Sequence, residues 1–230
     1  MRLEYTQDPP KLHSVEDQRI LAKVQESRAE LGLLPVDLVL LHAPQVAEGR
    51  PQLSPFITPM ACFLTSEGWH SLFGAIRRRS SLPDDIRELA ICRTGLINRA
   101  WYEWNIHSLI LLRCENFDEA KFSVVKQAYP TSQGALDDRQ WATLKYADAM
   151  TRHVTVPQDV FDGVKEAGFT QQQIVELTTT IAGYNMVSRF LVALDIGEAN
   201  NKAPHWVADL GGLGSIESRG EGGTVAANLE

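Results

Sequence analysis

The chain has 230 residues, 44% of them hydrophobic, and a formal charge of −7, which suits one domain with a sizeable core plus extensions. That acidic balance excludes the clustered Lys and Arg that nucleic acid or an anionic membrane surface requires. No apolar run reaches the roughly 20 residues of a spanning helix, and MRLEYTQDPP has no signal-like apolar stretch, so a soluble, cytoplasmic protein is expected.

In chain order, Val15 to Leu31 carries a helical pattern that stops at Gly32, as a C-cap glycine would. Pro35, Pro44, Pro51, Pro55 and Pro59 then punctuate a loop region where regular structure must be short. Residues 1–65 are therefore an N-terminal extension packing on a core. From Ser66 the apolar period is helical, with segments near 66–78, 83–97, 100–114, 117–128, 137–152, 157–167 and 171–196 and no sustained strand alternation. The fold class is all-α over residues 66–210. Ser81 before Asp84, Thr155 before Pro157 and Thr170 before Gln173 have the spacing of helix starts. Arg77, Arg78 and Arg79 read as a solvated helix end. A glycine-rich tail, 211–230, lacks an apolar stripe that could offset the entropy of ordering.

A shift of 88 positions lays Phe73 on Phe161, Ile76 on Val164, Ile86 on Ile174, Glu88 on Glu176, Leu89 on Leu177 and Gly95 on Gly183. Two related helical hairpins, packed about a pseudo-twofold, are the expectation.

Chemistry concentrates in residues 87–114. Glu103 and His107 stand four apart, one turn of helix, which places both on one face within hydrogen-bonding reach. The helix around them is apolar on nearly every side, through Trp101, Tyr102, Trp104, Ile106, Leu109, Ile110, Leu111 and Leu112. Such a helix is normally buried, and interior titratable groups are costly without a purpose. Burial favours their neutral forms and mutual contact their charged forms, a balance that poises a histidine for proton transfer. A structural Glu–His bond at a helix or subunit interface is the competing reading.

Glu88 in Arg-Glu-Leu, then Tyr102-Glu103-Trp104, then His107 resemble the core of carboxymuconolactone decarboxylase-type proteins, whose frame is shared with alkylhydroperoxidase D-like (AhpD-like) relatives. The resemblance covers about residues 66–196. It implies an AhpD-like helical bundle, a homo-oligomer (trimer or hexamer), no metal and no cofactor. In the peroxidase relatives a CxxC pair precedes the histidine; this chain has Ala100 and Glu103 in those places. A disulfide cycle needs both a nucleophilic and a resolving thiol. Cys62, Cys92 and Cys114 show no CxxC spacing and read as buried or half-buried thiols.

By the same resemblance Glu88 occupies the place of a relay glutamate, while Tyr184, Asn185 and Arg189 resemble polar positions that the last long helix turns toward a pocket. Arg189 is then a candidate anchor for a substrate carboxylate, with Arg93 and Arg99 as alternatives. Tyr102, Asn185 and tryptophans such as Trp104 would shape the pocket. His70, near Trp69, reads first as an ordinary helical surface residue and second as a pocket residue, and His13, His42, His153 and His205 carry less signal. The spacing of His, Cys and carboxylates forms no metal set.

The implied function is a lyase: a cofactor-independent decarboxylase of a small unsaturated or keto carboxylic acid or lactone, in secondary metabolism. His107 would be its acid–base, Glu103 would fix its tautomer and Glu88 would relay. Isomerisation, dehydration or cyclisation would use the same groups. A non-catalytic helical scaffold or small-molecule binder is the reading from another class.

Overall fold

The computed structural model describes residues 5–11, 15–28, 32–41, 66–153 and 155–209. Among them are nine α-helices and no strand: α1 (Val15–Arg28), α2 (Pro35–Leu40), α3 (Ser66–Arg78), α4 (Asp84–Ile97), α5 (Trp101–Leu111), α6 (Glu119–Val125), α7 (Asp138–Arg152), α8 (Gln158–Glu166) and α9 (Gln171–Leu194). Two 3₁₀ turns follow, Ile196–Glu198 and His205–Asp209. The tail 211–230, Cys62, His13 and His42 lie outside the described residues.

Local sequence explains most boundaries. Thr170 accepts a hydrogen bond from the Gln173 amide while Gln173 accepts from the Thr170 amide, the reciprocal capping box the spacing predicts. Asp137 and Gln140 do the same at the start of α7. Arg99, at φ 54, turns the chain sharply between α4 and α5. Helix α2 was not expected; Pro35 at its first turn needs no amide partner there and starts a helix of six residues. Ser81 does not cap α4, whose N-cap is Pro83. Its amide and hydroxyl donate instead to Glu176.

Helix α4 is the axis of the fold, buried almost continuously from Asp85 to Leu96 and packed on α5, α7 and α9. Three apolar clusters surround it. One joins Leu89, Leu96, Trp104 and Phe122; a second joins Phe73, Ile76, Tyr184 and Val187 with Val36 and Val39 of α2; the third joins Ile86, Tyr146, Val164 and Leu177. Each large side chain so buried contributes roughly 1.5–3 kcal/mol before the cost of ordering it. The 88-residue shift maps α3 onto α8 and α4 onto the first half of α9, and α4 and α9 pack directly on each other. The N-terminal extension is part of this packing: α1 lies against α3.

Arg93 does not serve a pocket. It is fully buried, paired with Asp148 at 2.8 and 2.6 Å, and donates to the carbonyls of Val125 and Gln127 at 2.6 Å each. It ties α4 to α7 and to the end of α6. The face of α5 carrying Ile106, Leu109 and Ile110 is exposed, although the sequence gives that helix apolar residues all round.

Candidate active site

Helix α4 brings Glu88, and α5 brings His107, to one buried point. Nδ1 of His107 lies 2.6 Å from Oε2 of Glu88, and the two residues are 6% and 3% exposed. With Nδ1–H donating to the carboxylate, the tautomer is fixed and Nε2 remains an acceptor. Nε2 takes no hydrogen bond among the described residues. The other oxygen of Glu88 lies 3.4 Å from Nε of Arg87, whose Nη2 donates to exposed Asp84 at 2.7 Å.

This corrects the expected Glu103–His107 bond. One turn before His107 on α5, the Glu103 carboxyl turns to α9, where the Ser188 hydroxyl lies 3.2 and 3.1 Å from its two oxygens. Gly95 of α4 leaves the room: a Cβ there would stand 3.1 Å from Glu103 Oε1. Spacing of four makes a contact available without making it obligatory, and partners on α4 and α9 outcompete the neighbour on the same helix.

The two groups titrate in opposite directions. Burial pushes the Glu103 carboxyl well above the usual carboxylate range, against the Ser188 bond and the charge of Arg77. Burial lowers the His107 imidazole below its ordinary value, against the bond from Glu88. Burial thus favours the neutral imidazole of His107 and the protonated carboxyl of Glu103, a base and an acid one turn apart. Burial likewise raises the Tyr184 hydroxyl, so it stays protonated. It accepts a 2.7 Å hydrogen bond from Nε of Arg77 and stands edge-on to the His107 ring at 5.2 Å.

Glu88, Glu103, His107, Tyr184 and Tyr102 all line one cavity of about 310 Å³. The Tyr102 ring rests on Gly197, at φ +70, where a Cβ would come within 2.5 Å of the ring. Arg77 and Arg78 line the same cavity, so they are not merely a solvated helix end. Arg78 folds back across Gly74, where a Cβ would meet its Nη2 at 2.7 Å. His70 also lines the cavity, with Nε2 3.3 Å from Oδ1 of buried Asp37, and is not an ordinary surface residue.

Besides Arg93 and Arg99, three more sequence-derived candidates lie outside the cavity. Trp104 packs in the core between Phe122 and Trp206, with ring centroids at 5.7 and 5.3 Å. Asn185 bonds Asn98 and Thr151. Arg189 is exposed and donates back to Asn185 at 2.9 Å. No residue of α9 beyond Tyr184, Val187 and Leu191 lines the cavity, because Asn185 and Arg189 sit on the other side of the helix. The arginine whose head reaches buried Tyr184 is Arg77, although the residue as a whole is exposed; its position one turn from Phe73 and Gly74 was the available signal, masked by the neighbouring arginines. The described thiols are poor nucleophiles: burial raises Cys92 far up and half-buried Cys114 to about 11. Among the described residues no group of three or more His, Cys, Asp or Glu could hold a metal ion, and no helix is long and apolar enough to cross a membrane.

No family model matches the chain, and no curated protein matches it either. Among solved structures, it is similar to an uncharacterised peroxidase-related protein from Silicibacter sp. TM1040, with 18% identity, a TM-score of 0.57, and 86% of this chain and 94% of that one covered. A protein of unknown function from Agrobacterium tumefaciens, named for a suggested antioxidant-defence role (AhpD), also matches, with 20% identity, a TM-score of 0.48, and 54% of this chain and 84% of that one covered. At such identities the likeness speaks for the backbone alone. The likeness to the peroxidase-related protein is one of fold, all-helical over the described residues of this chain.

Proposed function

We propose that this protein is a cofactor-independent acid–base enzyme that forms an enolate-type anion on a small conjugated or keto carboxylic acid or lactone, with decarboxylation as its reaction. The observation that carries the proposal is the buried His107–Glu88 pair, with Nε2 left as acceptor beside a cavity that Glu103, its protonated form favoured by burial, also lines. Three guanidiniums, Arg28, Arg77 and Arg78, face that cavity against the carboxylates of Asp37 and Glu88. The cationic excess favours an acid.

In this mechanism the substrate carbonyl oxygen accepts from the Tyr184 hydroxyl, which Arg77 polarises from behind. The bond to the carboxylate breaks, its electron pair moves to the carbonyl oxygen as an enolate, and carbon dioxide leaves. Glu103 then delivers its proton to carbon and is reprotonated by way of His107, whose Nε2 takes a proton from water and passes it on while Glu88 holds the ring. The neutral, tautomer-fixed His107 favours a second reading on the same geometry: Nε2 removes a proton from carbon and Glu103 returns one elsewhere, giving isomerisation, dehydration or cyclisation. The poor nucleophilicity of Cys92 and Cys114 weighs against a thiol cycle.

The test is a panel of β-keto and unsaturated acids incubated with the purified chain, following carbon dioxide release and product structure, beside His107→Ala and Glu103→Gln. Decarboxylation by the wild type, lost in Glu103→Gln, supports the first reading. Product formation without carbon dioxide, lost in His107→Ala, supports the second. Turnover unaffected by either variant, or none on the whole panel, rejects the enzyme.

A further inference from the structure

A second polar cluster faces the same cavity and plays no part in the chemistry above. Arg28, in the last turn of α1, binds Asp37 of α2 through two parallel bonds, Nε to Oδ2 at 2.8 Å and Nη2 to Oδ1 at 2.7 Å. Asp37 is fully buried and also accepts from the Leu34 amide, while His70 of α3 stands 3.3 Å away. Burial pushes the Asp37 carboxyl up, but His70 and Arg28 together hold it below the usual range. The guanidinium is thus clamped in place by a carboxylate from the N-terminal extension. Its Nη1 takes no bond among the described residues.

A row of rings joins this cluster to the acid–base pair. Trp69, next to His70, meets Phe73 at 4.9 Å; Phe73 meets Tyr184 at 5.4 Å; Tyr184 meets His107 at 5.2 Å. The cavity therefore has an aromatic wall with a polar group at each end. Walls of this kind favour a flat, conjugated ligand. An arginine already neutralised by Asp37 favours a neutral oxygen: a second carboxylate on it would stand against the carboxylate that holds it.

We propose that Arg28, clamped by Asp37 and flanked by His70, is a specificity-determining subsite that accepts a neutral carbonyl or hydroxyl oxygen at the far end of a planar ring acid. The N-terminal extension then selects the substrate, and the helical core does the chemistry. The assignment rests on the reading of the cavity as a site for a small acid, and its test reads binding only, so the two fail separately.

Isothermal titration of the full chain compares three probes: 2-naphthoate, 6-hydroxy-2-naphthoate and naphthalene-2,6-dicarboxylate. Wild type should bind the hydroxy acid roughly tenfold more tightly than the parent acid, one charge-assisted hydrogen bond's worth, and more tightly than the diacid. Arg28→Ala alone would strand a buried carboxylate and could unfold the chain, so the informative variant is Arg28→Met/Asp37→Leu, which removes both charges together. It should bind the hydroxy and parent acids alike, whereas His107→Ala should keep the tenfold preference. Equal binding of the two acids by wild type, no binding of either, tightest binding of the diacid, or a preference that survives the double variant would each overturn the subsite. Turnover that survives His107→Ala while the binding preference stands sinks only the acid–base reading.

Discussion

Two segments offset by 88 positions share several residues, Glu88 and Glu176 among them, and use them differently. Glu88 is 3% exposed and bonds His107 across the α4–α5 contact. Its counterpart Glu176, at the same place in α9, is only half-buried and accepts from the Ser81 amide and the hydroxyls of Ser80 and Ser81. Burial pushes Glu176 up, but those bonds and one from Gln172 hold it below the usual range. One glutamate faces a base beside a cavity; the other ties down a connection. Position in a repeat sets where a side chain starts, and the neighbours it meets decide whether it does chemistry.

The largest expected effect comes from breaking the first half at its base. His107→Ala should lower turnover by about 10²–10⁴-fold, and Glu88→Gln by roughly 10²-fold through loss of tautomer control, both read as kcat on the panel substrate. Glu176→Gln, the same change in the other half, should leave kcat within about twofold and cost about 1 kcal/mol in urea unfolding. A comparable loss of kcat in Glu176→Gln would erase the distinction.

Arg93 and Ile181 also correspond under the shift, and both are fully buried. Arg93→Ala strands Asp148 and two carbonyls, so it should cost about 3–5 kcal/mol of stability. Ile181→Val should cost about 1 kcal/mol. Denaturant titration checks both, and a change confined to KM in an Arg93 variant of full stability would return that arginine to the pocket.

The glycine pair sharpens the contrast further. A methyl at Gly183 would press on Phe73 and Ile76 at 3.3 Å each, so Gly183→Ala should cost about 1–3 kcal/mol by overpacking. A methyl at Gly95 would press on the Glu103 carboxyl at 3.1 Å. Gly95→Ala should lower kcat more than it lowers stability, measured side by side on one preparation.

The smallest effect is a pH dependence. Glu103 is raised in the folded chain, so its contribution is fully present below the unfolded carboxylate value and is lost as pH rises through the folded one. Glu103→Gln should remove that decline and raise Tm above the folded carboxyl value by about 2–4 °C for each kcal/mol relieved. His107 is lowered, so its contribution is present above the unfolded imidazole value and lost as pH falls through the folded one. Turnover should trace a bell between these two folded values. A Glu103→Gln variant whose Tm still falls with rising pH as steeply as wild type would place the decline on another group.

What the sequence determined by itself was whatever depends on neighbours along the chain. Helix periodicity placed α3 to α9 within a few residues of their ends, because a 3.6-residue apolar stripe must face a core whatever that core contains. Caps at Thr170 and Gln173 were legible for the same reason, and Tyr102, Glu103 and His107 were found on one helix. Pairing was decided by the tertiary structure, with only the relation of Glu88 to His107 expected beforehand, from the family resemblance. Glu88 reaches His107 across 19 positions, Ser188 reaches Glu103 across 85, and Arg77 reaches Tyr184 across 107. Hydrogen bonds form between groups that packing brings within about 3 Å, and no spacing along the chain encodes that distance. The contacts of the extension followed suit: Arg28 and Asp37 sit nine apart with no motif between them, and α1 and α2 lay them beside α3, where Arg28 and His70 line the cavity.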